Sequence, residues 1–105
     1  METRRLDEGE FLATIGRKMH NVTDDPTEAR DIWPYVDSVP APDLEGHSIN
    51  DGLVESVYRS DDGRYDHVLV MTRTKDVYLT VVVDLARGSI HGHRLLDLNR
   101  EYGLS

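Results

Sequence analysis

The chain has no cysteine, which rules out disulfides and thiolate metal sites and fits a reducing compartment. It lacks an apolar run long enough to cross a bilayer: the longest, HVLVM and YLTVVV, are strand-sized. No apolar stretch follows the charged opening METRRLDEGE, so no secretory signal is expected and the expected location is cytoplasmic. A basic footprint is also missing. Asp and Glu number 20 against 12 for Lys and Arg, a formal net charge of −8. That balance speaks against nucleic-acid binding and would steer the protein toward basic partners. Lysine is confined to Lys18 and Lys75; the other cations are arginines, which suit bidentate pairing with carboxylates. No glycine run matches a phosphate-binding loop or a dinucleotide fingerprint, and no cofactor is expected.

A length of 105 residues fits a single domain spanning 1–105. Its expected parts are a helical and irregular region 1–52, a β-meander 53–95 and a short helix 96–103. In LDEGEFLATIGRKMH, Phe11, Leu12, Ile15 and Met19 recur at helical spacing, with acids leading and bases trailing. A second, short helix is expected near residue 26, with Asp25 as N-cap, Pro26 in the first turn and Glu28 completing a capping box. Pro34 would limit it. From Tyr35 to Gly52, two prolines and no clean period predict a long irregular connection.

The second half reads as four strands joined by short turns: LVESVYRS, YDHVLVMTR, DVYLTVVVD and SIHGHRLL. Short connections force antiparallel neighbours, so the expected fold class is α+β: N-terminal helices on a four-stranded antiparallel meander of order 1-2-3-4, closed by a short C-terminal helix. Leu95, Leu98 and Tyr102 would form that helix's apolar stripe, with Gly103 as its C-cap. The tail GHRLLDLNREYGL resembles those of small bacterial domains, and that resemblance implies no function.

Turn lengths predict the pairing. Met71 should face Tyr78, Leu69 Thr80 and His67 Val82; across the next turn, Val82 should face His91 and Thr80 His93. One face then collects Val68, Val70, Val77, Leu79, Val81, Val83 and Ile90, a dry core for the helices to cover. The other mixes His67, Leu69, Met71, Arg73, Tyr78, Thr80, Val82, Asp84, Ser89, His91 and His93. It is too apolar for plain surface and too polar for a core, the composition of a face that meets something.

Several chemistries fit that face in part. His91 and His93 would lie about 7 Å apart along one strand, a spacing that suits zinc or nickel, with Asp84 as the third donor. His67 is a poorer third ligand, roughly 10 Å away across Val82. HxH alone is a weak pattern, and two surface or interface histidines are the blander alternative. Asp84, Ser89 and His91 could form a nucleophile, base and orienter, but without a nucleophile elbow or an oxyanion hole. Asp61, Asp62 and Gly63 lack the alternating carboxylates of a calcium loop and read as turn chemistry. Trp33 reads as a core residue or as an exposed anchor.

The expected function is a non-enzymatic protein-interaction module: an acidic inhibitor or immunity-type protein that blocks a toxin or nuclease, or a homodimer. It would bind through Met71, Arg73, Tyr78, Thr80, His91 and His93. The alternative is a metal- or small-ligand-binding protein, or a small hydrolase, using His91, His93 and Asp84.

Overall fold

The computed structural model describes residues 4–15, 18–24 and 32–101. In chain order the elements are α1 (Glu8–Ile15), β1 (Met19–Asn21), α2 (Trp33–Asp37), a 3-10 helix (Ala41–Leu44), β2 (Ile49–Ser60), β3 (Tyr65–Thr72), β4 (Val77–Asp84), β5 (Ser89–Asp97) and α3 (Leu98–Glu101). The fold is α+β. The strands form one antiparallel sheet in the order β1-β2-β3-β4-β5. The four expected strands run in the expected sequence, but the sheet has five. Met19, read as the end of the first helix, lies in the extra edge strand, where it pairs with Ser60.

The start of that first helix is fixed by local chemistry. Asp7 and Glu10 form a reciprocal capping box: the Glu10 N–H donates to Asp7 Oδ1 at 2.7 Å, and the Asp7 N–H donates to Glu10 Oε1 at 3.2 Å. By Met19 the chain is extended and hydrogen-bonded to β2.

Pro34, expected to limit a helix from near residue 26, belongs to a helix of its own. It sits in the first turn of α2, where a missing N–H costs nothing; the Tyr35 and Val36 N–H groups donate to the Ile32 carbonyl, both at 3.0 Å. The expected cap at Asp25–Pro26, the partner Glu28, Tyr102 and Gly103 lie outside the described residues. The stretch from 35 to 52 is largely ordered into α2, the 3-10 helix and the start of β2.

The core lies on one face of the sheet. Val57, Val68, Val70, Leu79, Val81 and Val83 pack under Ile32, Val36 and Val39, with Trp33, Leu44, Ile49 and Ile90 half-buried at the margin. Thus α2 and its neighbours cover the face expected to be dry. The first helix does not join them. It crosses the mixed face, where Leu6 and Phe11 bury Val82 and pack against Tyr65.

The β3–β4 register is as expected, with His67 opposite Val82, Leu69 opposite Thr80 and Met71 opposite Tyr78. The β4–β5 register is as expected only near the turn. Asp84 faces Ser89 and Val83 faces Ile90, but Val82 faces Gly92 and Val81 faces His93. His91 is the extra residue of a β-bulge, and every later side chain of β5 changes face. Gly92, beside the bulge, admits a further segment of the chain. Residues 4–6 run parallel beside β5: the His93 N–H donates to the Arg4 carbonyl at 2.9 Å and the Leu6 N–H to the His93 carbonyl at 2.8 Å. A Cβ at Gly92 would stand 2.6 Å from Leu6 Cδ2 and 2.8 Å from the Arg4 carbonyl oxygen. Only a glycine permits this approach.

Candidate functional site

The bulge separates the two histidines. His93 is fully buried on the core face, and its Nε2 meets Asp43 Oδ2 of the 3-10 helix at 2.9 Å. His91 stays half-buried on the other face, tilted against the Tyr65 ring with centroids 5.5 Å apart. Asp84 is engaged elsewhere. It accepts from Arg64 Nε at 3.1 Å and Nη2 at 3.2 Å, and from the Ala86 and Arg87 N–H groups that close the β4–β5 turn. The Arg64 hydrogen bond holds the Asp84 carboxyl below the ordinary range. The three expected metal donors therefore do not converge. Among the described residues no group of three or more His, Asp or Glu side chains is placed to hold a metal ion.

The other expected binding residues divide. Met71, Arg73 and Tyr78 surround a depression beside the β3–β4 turn. Tyr78 is half-buried, and burial is the main cause that raises its phenol above the usual value, helped by Glu55 and Asp76. Thr80 is buried further along the same face. It belongs to a different feature, which the sequence pattern did not single out.

That feature is a groove of about 390 Å³ between α1 and the mixed face. His67 and Leu69 of β3 and Thr80 of β4 line it from below. Phe11 and Leu12 of α1 wall one side; Tyr58 of β2 and Met19 of β1 extend it toward one sheet edge, Leu96 and Arg94 of β5 toward the other. The lining is predominantly apolar, and its charged members are one acid, Glu8, and one base, Arg94. Arg94 is oriented by the Leu6 carbonyl, to which Nη1 donates at 3.0 Å, and by the Phe11 ring beneath its guanidinium.

Two buried polar atoms in this lining have no hydrogen-bond partner among the described residues: His67 Nδ1 and Thr80 Oγ1. The two residues are 3% and 1% exposed. An unsatisfied buried polar group costs about 1–3 kcal/mol, so a fold carrying two on one face invites a reason.

The protonation state of His67 follows from its neighbours. Burial is the largest effect and takes its pKa down to about 4, Asp66 opposing and His91 assisting. The ring is therefore neutral at pH 7. Thr14 Oγ1 donates its single hydrogen to the Phe11 carbonyl at 2.7 Å and lies 2.9 Å from His67 Nε2. A hydroxyl with its proton so engaged can only accept at the ring. Nε2 carries the imidazole hydrogen, and Nδ1 presents a bare lone pair.

No family model, no curated protein and no solved structure matches this chain. Among the described residues, no helix is long and apolar enough to cross a membrane. Sequence reasoning placed His67, Leu69 and Thr80 on one face and weighed His67 only as a remote metal ligand. What it missed was the contribution of α1, whose Phe11 and Leu12 turn a flat sheet face into a groove. The only sequence signal was the apolar stripe of that helix, which does not say which side of the sheet it covers.

Proposed function

We propose that the protein is a non-enzymatic binding protein and that its site is the groove between α1 and the mixed face. The observation that carries this reading is the incomplete cover of that face by the described residues. Leu6 and Phe11 seal one end over Val82, while Leu69 and Leu96 remain half-buried and Leu12 is 51% exposed. A concave, mostly apolar site with a few convergent polar groups is the usual form of a small-ligand pocket, and its volume falls within the usual range for such pockets. The non-enzymatic part rests on the nucleophile candidate, Ser89, which is exposed at a turn, while its would-be orienter Asp84 is engaged by Arg64.

The test uses N-phenyl-1-naphthylamine, a neutral dye that fluoresces in apolar sites. The protein should bind it saturably, one per chain, without losing native amide dispersion. Leu12→Asp, at an exposed position on the rim, should weaken binding several-fold. An absence of saturable binding removes the reading.

A second reading keeps the same face and changes the occupant. Leu12 and Tyr58 are exposed apolar side chains flanking the groove, and a protein partner or a second copy could cover them. Sedimentation equilibrium separates the two: a dimer at tens of micromolar that Leu12→Asp dissolves favours self-association, and a monomer throughout disfavours it.

A further inference from the structure

Resting on the groove reading, we infer that the ligand is a compact, uncharged, largely apolar molecule carrying a hydroxyl group, and that this hydroxyl is read by His67 Nδ1 and Thr80 Oγ1. His67 and Thr80 are diagonal neighbours across the β3–β4 ladder, within the reach of side chains on one sheet face. Both side chains line the groove, and in each a buried polar atom has no hydrogen-bond partner among the described residues.

Their chemistry is complementary to one functional group. Nδ1 of the neutral ring offers a lone pair and needs a donor. The Thr80 hydroxyl has a hydrogen to give. A ligand hydroxyl can donate to the first and accept from the second. A carboxylate cannot donate to Nδ1, and protonating the ring to suit it runs against the burial that lowers the His67 pKa to about 4. An ammonium could donate, but it would bring an unpaired charge among apolar side chains. The lining, with one acid and one base, gives no reason to prefer either sign. An apolar isostere would fill the groove but leave both atoms unpaired, and sites built around a hydroxyl reject such analogues strongly.

The experiment displaces N-phenyl-1-naphthylamine from the full chain at pH 7 with three probes of matched shape: 2-naphthol, 2-methylnaphthalene and 2-naphthoate. 2-Naphthol should bind at least about tenfold more tightly than either of the others. In Thr80→Val, which keeps shape and removes one of the two contacts, the ratio of the 2-naphthol to the 2-methylnaphthalene affinity should fall several-fold. Equal affinities for 2-naphthol and 2-methylnaphthalene in the native protein overturn the hydroxyl assignment and leave the groove reading standing. A preference undiminished in Thr80→Val overturns it too, since the contact then lies elsewhere. Failure of the dye itself to bind removes the groove reading and this inference with it.

Discussion

The two faces of the sheet are built from the same strands and end in different states. On the core face, Val70, Leu79 and Val81 meet α2 and its flanking residues, and the layer is closed. Its polar members are paired: Asp66 accepts a bidentate pair from Arg59 at 2.8 and 3.1 Å, and His93 meets Asp43. On the mixed face, α1 is only eight residues long and covers one end. Two polar atoms under it have no partner among the described residues, and apolar side chains beyond it stay half-exposed. Closure by several short elements produces a core, whereas closure by one short helix leaves a groove.

The largest expected difference between the faces is in packing. Leu79→Ala, at a fully buried position, should cost about 3–4 kcal/mol in urea unfolding. Leu69→Ala, a half-buried lining residue of the groove, should cost about 1 kcal/mol or less, because much of its surface already meets solvent. Similar losses at both sites would mean that the mixed face is as tightly packed as the core.

Next in size is the response to acid. The folded-state pKa of His67, about 4, lies below its ordinary 6.5. The unfolded chain therefore takes up a proton that the folded chain refuses. His67 contributes full stability above pH 6.5, which is lost as pH falls toward 4, by roughly 3 kcal/mol in all. His67→Phe should flatten the stability profile in that window relative to wild type. Parallel profiles for the two proteins would show that the imidazole is not held neutral.

Gly92→Ala tests what joins the faces. The added methyl group meets the Arg4 carbonyl oxygen and Leu6, and should cost about 2 kcal/mol. The Leu6 and His93 amides, which bond across that edge, should lose hydrogen-exchange protection first. Unchanged protection would mean that residues 4–6 do not need the close approach.

The smallest effect has the opposite sign. Thr80→Val replaces a buried hydroxyl that has no partner among the described residues with a methyl group of the same shape, and should stabilise the fold by about 1 kcal/mol. A loss of stability would show that Thr80 has a partner and that the mixed face is better satisfied than its hydrogen bonding indicates.

Much of the strand half was legible in the sequence. β-branched and aromatic runs bounded by short turns fix strand number locally, and side-chain alternation assigns Val68, Val70, Leu79, Val81 and Val83 to one face without knowledge of anything else. The helices were legible by their polarity and less so by their ends: a proline marks a helix boundary but not which side of it, so Pro34, expected to limit a helix from near residue 26, lies in the first turn of α2. The candidate site was legible in part. His67, Leu69 and Thr80 fell correctly on one face because the β3–β4 turn preserves register. His91 and His93 did not, because an even count along β5 cannot reveal an inserted residue.

By itself, then, the sequence determined the α+β class, the order of the four long strands and the valine-rich core face, all properties set by short-range periodicity and turn length. Only the tertiary structure decided that residues 4–6 run beside β5 and that Gly92 admits them. It alone placed a bulge at His91 that sends His93 into the core, and laid α1 across the mixed face over His67 and Thr80. Each of these depends on contacts between segments far apart in the chain, whose geometry no local pattern of residues encodes.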